Sequence, residues 1–406
     1  MASLPTLPLP GLTARGTVRS APGTRDFALL FGLESAVRGT LLSAVPLLML
    51  RLWETGTAVS AIYLGVGILS LTAGFLTPAL AARIGRRRVT LGAAGAYLLG
   101  MVLLVAGHPM TAVAALLVNA CATAALWVCL SAYVLDGVPR EALGRAESQR
   151  LLYSAAAWTL GPVTGVMLLD WWQPAPFLLA GAFAALLVAA FLRLDPGEGR
   201  GRAQPAGFAP DYLRRFLRQP RLVAGWTFAT IRSAGWWIYI VYLPLFCREA
   251  GLDERLGGAA VSLSSLLLFA TPLLLRLMRR LTVRGAVRGA FGLCAALFLG
   301  AFVLSPWPWA TLLCLVLASG ALVMLDVCGS LPFLMAVRPG ERTEMAAVYA
   351  SFRDVSGIVT PAIGGLVLLA LPVAATFAAA GLAMAGAWAL AATVHPRLGE
   401  RRSAPA

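Results

Sequence analysis

Apolar stretches of about 20 residues recur along the whole chain, separated by short polar segments, and that is the length a helix needs to cross a hydrocarbon core of about 30 Å. They read as spans at 27–50, 57–82, 89–107, 110–135, 150–170, 175–194, 221–247, 257–278, 286–304, 308–335, 344–369 and 371–394. The stretches are rich in Leu and Ala and lack two-residue alternation, which predicts helices rather than the strands of a closed barrel. With no water in the hydrocarbon core, each backbone polar group must be satisfied inside its own segment, so an all-α membrane bundle is the expected architecture. One long polar stretch, 195–220, divides the chain. The expected order is a disordered tail at 1–26, six helices at 27–194, a linker at 195–220, six helices at 221–394 and a tail at 395–406.

Composition agrees with that solvent. Hydrophobic residues make up 59% and charged residues 13%, against about 25% charge in a typical soluble protein. The net charge of +15 would suit a nucleic-acid partner, but the position of the arginines argues otherwise. They gather in the first tail (Arg15, Arg19, Arg25) and after span 2 (Arg83, Arg86, Arg87, Arg88). Further groups follow span 4 (Arg140, Arg145, Arg150), lie along the linker, border span 8, and occupy the last tail. Arg51, Arg248 and Arg255 fall on the opposite side. This is the positive-inside asymmetry of a polytopic protein, and it predicts that both termini are cytoplasmic, which requires an even number of spans. The charge is therefore topological, and no nucleic-acid partner is expected. Cys121, Cys129, Cys247, Cys294, Cys314 and Cys328 form no CxxC pair, and the two histidines, His108 and His395, have no acid cluster beside them. No metal, cofactor or enzymatic centre is expected from this set.

The halves echo one another. Glu34-Ser35-Ala36 precedes Pro46-Leu47 in span 1, and Arg232-Ser233-Ala234 precedes Pro244-Leu245 at the same spacing in span 7. Thr77-Pro78 is followed by Arg86, and Thr271-Pro272 by Arg280, again equally spaced. Span 5 carries Gly161-Pro162-Val163-Thr164-Gly165 and span 11 carries Thr360-Pro361-Ala362-Ile363-Gly364-Gly365. Matches in register across half the chain predict an internal duplication.

On these residues the chain resembles the major facilitator superfamily, over nearly its whole length. The loop Pro78-Ala79-Leu80-Ala81-Ala82-Arg83-Ile84-Gly85-Arg86-Arg87 is similar to that superfamily's signature of Gly, an Asp-Arg pair and Gly-Arg-Arg, with Pro78 in place of Gly and Ala82 in place of Asp. The span 5 run resembles the antiporter signature of drug-efflux members, with Ala157 at one Gly position. Asn119 stands near the place where many proton-driven exporters carry an Arg in span 4. The resemblance implies two pseudo-symmetric six-helix bundles that rock about a midplane site in a plasma (inner) membrane. It further implies a monomer whose partners are a small-molecule substrate, protons and the lipid bilayer. Arg83, Gly85, Arg86 and Arg87 would form a gating loop, and Gly161, Pro162, Gly165, Pro361 and Gly364 would be kink positions.

Six ionised groups remain well inside the spans: Glu34 and Arg38 in span 1, Arg232 in span 7, Asp326 in span 10, and Arg353 with Asp354 in span 11. An intramembrane charge costs ~2.5–3.5 kcal/mol on insertion scales, and such groups are functional candidates by default. Glu34 and Arg38 share a helix face at i, i+4. Asn119 and Trp127 lie on one polar stripe of span 4, and Trp236 and Tyr239 lie on the face of Arg232. In the resembled fold spans 1, 4, 7 and 10 line the cavity, so these residues form the expected substrate and proton pathway. Glu34 and Asp326 are the candidate proton carriers. Arg38, Arg232 and Arg353 would bind an anionic or polar substrate group or hold the carboxylates ionised. Proton-coupled efflux of a small drug-like or metabolic solute is the first expectation. Uptake or exchange of a small organic anion is the second, and a non-transporting assembly factor on the same fold is a third, of another class.

Overall fold

The computed structural model describes residues 23–54, 56–197, 209–252 and 254–394. Most of the tail expected at 1–26, residues 198–208 of the linker and the tail expected at 395–406 lie outside the described residues. The first six helices follow the hydropathy pattern: α1 Thr24–Trp53, α2 Gly56–Ile84, α3 Arg86–Val105, α4 Pro109–Gly137, α5 Leu143–Trp171 and α6 Ala175–Leu194. A short helix, α7 Ala209–Leu217, precedes the second set, which opens with α8 Pro220–Glu249. Span 8 is α9 Glu254–Leu266 and α10 Thr271–Arg280, joined by one 3-10 turn, and span 9 is α11 Val283–Val303. Span 10 is α12 Pro308–Cys328 with α13 Leu331–Ala336, span 11 is α14 Arg342–Ala350 with α15 Phe352–Leu368, and span 12 is α16 Ala374–Leu390. Among the described residues nine helices are long and apolar enough to cross a membrane. The other three crossings are α8, which carries Arg232, the interrupted α9–α10, and α14–α15, which carries Arg353 and Asp354.

Local chemistry sets the helix ends. Prolines at the first helical positions of α4, α8 and α12 lack only an N–H that would have no partner there anyway. His108 caps α4 by accepting from the Met110 N–H at 3.2 Å, and Thr282 caps α11 from Gly285 at 3.0 Å. Gly85, at φ 91°, makes the sharp turn between α2 and α3 that a residue with a Cβ adopts only under strain.

A serine contact joins the corresponding helix pair in each bundle. In the first bundle Ser35 on α1 donates to Ser154 on α5 at 2.9 Å. In the second, Ser233 on α8 and Ser356 on α15 share a hydrogen bond of 2.6 Å. Glycines bring the same helix pairs together. A Cβ on Gly161 would lie 2.6 Å from the Gly39 carbonyl carbon, and one on Gly165 would lie 2.1 Å from the Thr40 oxygen. One on Gly364 would lie 1.9 Å from the Tyr242 hydroxyl. Gly161, Gly165 and Gly364 are thus close-packing points, the small-residue contacts expected between membrane helices. Gly39→Val is therefore expected to abolish monodisperse expression, because its Cβ would lie 2.3 Å from the Ala157 oxygen. Gly65→Val, with nothing near its Cβ, should leave the size-exclusion profile unchanged.

Large apolar side chains such as Leu64, Leu99, Leu160, Leu186, Leu313 and Leu382 point outward, as a lipid-facing surface requires. Trp171, Trp172, Trp307 and Trp309 are exposed together at the end of the bundle away from the termini, where an interfacial aromatic belt is expected.

Candidate functional site

The intramembrane charges converge halfway along the helices that carry them. In the first bundle Glu34 is 1% exposed, and Arg38 reaches its Oε1 at 3.4 Å from one turn further along α1. Tyr97 of α3 donates to the same oxygen at 3.2 Å and lies 2.7 Å from the Thr123 hydroxyl on α4. Glu34 Oε2 and Asn119 Oδ1 are buried without a hydrogen-bond partner among the described residues.

The second bundle makes a comparable pair from different elements. Arg232 of α8 places Nε 3.3 Å from Asp326 Oδ1 on α12, and Trp236 donates to Asp326 Oδ2 at 3.0 Å. Asp326 looks alone along its own span; the partner comes from another helix. Glu34 and Arg232 occupy equivalent repeat positions with opposite charge, and each bundle supplies the counter-charge from within. Tyr239 is fully buried with its hydroxyl 2.7 Å from Ser264, which donates to Ser319 at 2.7 Å, so its polar end is engaged inside the second bundle.

Between the bundles lies Trp127 of α4. The Arg353 guanidinium stacks on its ring, 3.5 Å from the centroid, and Arg150 approaches at 5.0 Å. Phe31 meets the ring edge-on at 5.3 Å. A cavity of 140 Å³ opens at this level, lined by Arg38, Ser70, Thr123, Trp127, Arg353 and Asp354. Toward the terminal end the space narrows to about 30 Å³ among Phe31, Glu147, Arg150, Arg232, Tyr349 and Phe352, room for about one water molecule. Arg38, Arg150 and Arg232 each have a carboxylate. The Arg353 guanidinium has neither an ion pair nor a hydrogen bond among the described residues. Stacking occupies the π face of a guanidinium and leaves the N–H donors around its rim free, in the fork geometry that matches a carboxylate or phosphate.

Arg150 corrects an expectation. Its neighbours along the chain place it in a polar loop, yet α5 begins at Leu143 and carries it into the interface. There it donates to Glu147 Oε2 at 2.7 Å and 3.0 Å. Glu147 and Arg150, three apart in one helix, carry the spacing that marks such a pair.

At the Arg-rich end the bundles are bolted together. Arg86 donates to Asp136 Oδ2 at 2.5 Å and to the Thr343 hydroxyl at 2.6 Å, and Arg342 donates to Asp136 Oδ1 at 2.7 Å. One carboxylate from the first bundle thus holds arginines from both. Arg140 reaches the Val337 carbonyl at 3.2 Å. Helix α7 adds a strap: Tyr212 donates to the Phe75 carbonyl at 2.5 Å, and Arg215 donates to Glu344 at 2.5 Å. Burial pushes the Tyr212 phenol up from its ordinary range, so it stays a neutral donor. Of the expected gating loop, Arg86 makes this bridge, Arg87 pairs with Asp195 at 3.2 Å, and Arg83 is exposed. Asp136 carries the bridge, and reading the loop by itself does not reveal it.

A sequence model described as Major Facilitator Superfamily matches residues 27–361. No match to a curated protein is found. Solved structures similar in fold include the transporter FucP in the outward conformation, with TM-score 0.75 and 13% identity over 92% of this chain and 98% of that one. A bacterial homologue of the iron transporter ferroportin, in an outward-facing state with soaked iron, gives TM-score 0.72 and 14% identity over 94% and 100%. The human organic anion transporter MFSD10 (TETRAN) gives 0.66 and 18% over 91% and 100%. The helix order, the midplane charges and a family match over most of the chain agree: the chain belongs to the Major Facilitator Superfamily.

Proposed function

We propose that the chain is an alternating-access carrier for a small organic anion, bound at the midplane between the two bundles. One observation carries the reading: Arg353 lies at the bundle interface with its guanidinium flat on Trp127 and its donors unpaired, beside a 140 Å³ cavity that Arg38 also lines. An anionic group there would gain a fork of charge-assisted hydrogen bonds, each about twice as strong as a neutral one. Glu34 and Asp326 are the proton carriers in this scheme. A proton on either carboxylate releases its arginine partner, Arg38 or Arg232, toward the cavity. The arginine asymmetry supports a cytoplasmic location for the bolted end and both termini, so the described state is closed to the cytoplasm. The Gly161-Pro162 run in span 5 supports export as the direction.

Binding tests this directly. Small mono- and dicarboxylates should quench part of the tryptophan emission of the purified protein, a part that Trp127→Phe should remove. Arg353→Gln should weaken that binding on the order of 10- to 100-fold, the loss expected when a charged hydrogen-bonding group is removed. Arg353→Lys should recover only part of it, since a point charge cannot reproduce a planar fork. Unchanged affinity in Arg353→Gln, or quenching by neutral solutes alone, would rule the anion site out.

A further inference from the structure

A second arginine-lined cavity lies away from the midplane. It holds 620 Å³ at the Arg-rich end, where α8 begins and the second bundle's tenth and twelfth crossings finish. Four arginines line it: Arg140, Arg218, Arg221 and Arg338. Its described wall contains no Asp or Glu. Arg140 contacts a backbone carbonyl, and the other three guanidiniums have no ion pair or hydrogen bond among the described residues. At the same end Asp136 holds Arg86 and Arg342, and Glu344 holds Arg215. A cluster of four like charges around one space raises the local anion concentration and stays together at least cost when an anion fills it. Apart from Gln219 and Thr393 the rest of the wall is apolar, with Leu222, Pro332, Met335 and Val394 at the helix ends. Arginines beside apolar side chains at helix ends near the membrane surface suit a phospholipid, whose phosphate would take the arginines and whose acyl chain the apolar side chains.

We propose that this cavity binds the phosphate headgroup of an acidic phospholipid from the leaflet at the Arg-rich end. Arg140 follows α4 of the first bundle, Arg218 lies at the end of the linker, and Arg221 and Arg338 belong to the second bundle. A lipid seated there touches both bundles and favours the state in which this end is closed. The site differs from the substrate cavity in place and lining residues.

The test uses the full-length protein extracted from vesicles containing equal phosphatidylglycerol and phosphatidylcholine, with retained lipid identified by native mass spectrometry. The wild type should retain phosphatidylglycerol preferentially. Replacing Arg218, Arg221 and Arg338 by Gln should remove that preference, since an arginine near an anionic surface contributes roughly fivefold and three contribute on the order of 100-fold. A control variant with the same charge loss outside the cavity, Arg214→Gln, Arg280→Gln and Arg284→Gln, should keep it, and all variants are compared by size-exclusion profile. Equal loss of phosphatidylglycerol in both triple variants overturns the site. Displacement of the lipid by millimolar inorganic phosphate, with retention of phosphate instead, overturns the lipid as occupant.

Discussion

Asp136→Asn is expected to unbolt the Arg-rich end and shift the protein away from the state described here. The carboxylate is 5% exposed and receives Arg86 at 2.5 Å and Arg342 at 2.7 Å, one from each bundle. Removing one partner from a buried pair costs about 3–5 kcal/mol, because the remaining charge stays buried without compensation. Here two guanidiniums lose their counter-charge, while Arg140 and the α7 strap remain in place. Hydrogen exchange should report the change: amides around 137–143 and 339–350 should exchange on the order of 100-fold faster if about 3 kcal/mol of closure is lost. The superfamily's usual loop Asp is Ala82 in this chain, so no carboxylate at that position can take over. Unchanged exchange in both segments would mean that Asp136 does not hold the end closed.

The second large effect is expected at Arg232 and Asp326. Asp326→Asn alone leaves a 6% exposed arginine facing a neutral amide, while Arg232→Gln with Asp326→Asn leaves no charge in either place. The single variant should lose about 3–5 kcal/mol of stability and the double variant should regain most of it. Transport separates the proton role from the structural one. In proteoliposomes the double variant should fold and still exchange substrate downhill, but it should fail to accumulate substrate against a gradient when driven by pH. Full pH-driven accumulation in the double variant would show that Asp326 only holds Arg232. A double variant no more stable than the single one would show that the pair is not coupled.

How much of this was legible beforehand differs from residue to residue, for physical reasons. Hydropathy located the crossings, because the bilayer imposes a length and forbids unpaired backbone, but it started span 5 at 150, whereas α5 begins at Leu143. Breaks at the 3-10 turn of span 8 and at Gly329–Ser330 do not interrupt an apolar pattern, so hydropathy could not show them. Glu34–Arg38 was readable as i, i+4 on one helix. Arg232–Asp326 was not assignable as a pair, since the contact depends on which helices become neighbours. Arg150 was hidden by its company: arginines near a span end count toward topology, and only Glu147 three residues earlier hints at a buried pair. Asp136 at the end of span 4 was hidden in the same way, and α7 within the linker had one readable sign, Tyr212 and Phe216 at i, i+4. The role of Gly161 and Gly364 could not be settled from the sequence, because a kink and a close approach both ask for a residue without a side chain.

Solute counterflow measures organic-anion exchange through Arg353 most directly. Proteoliposomes loaded with an unlabelled dicarboxylate should take up the labelled compound transiently and saturably, without an imposed gradient. Arg353→Gln reconstituted at equal density should show no such overshoot. Contradiction would come from wild-type liposomes that exchange no organic anion across a panel of carboxylates and phosphates, or from Arg353→Gln liposomes that match the wild-type overshoot.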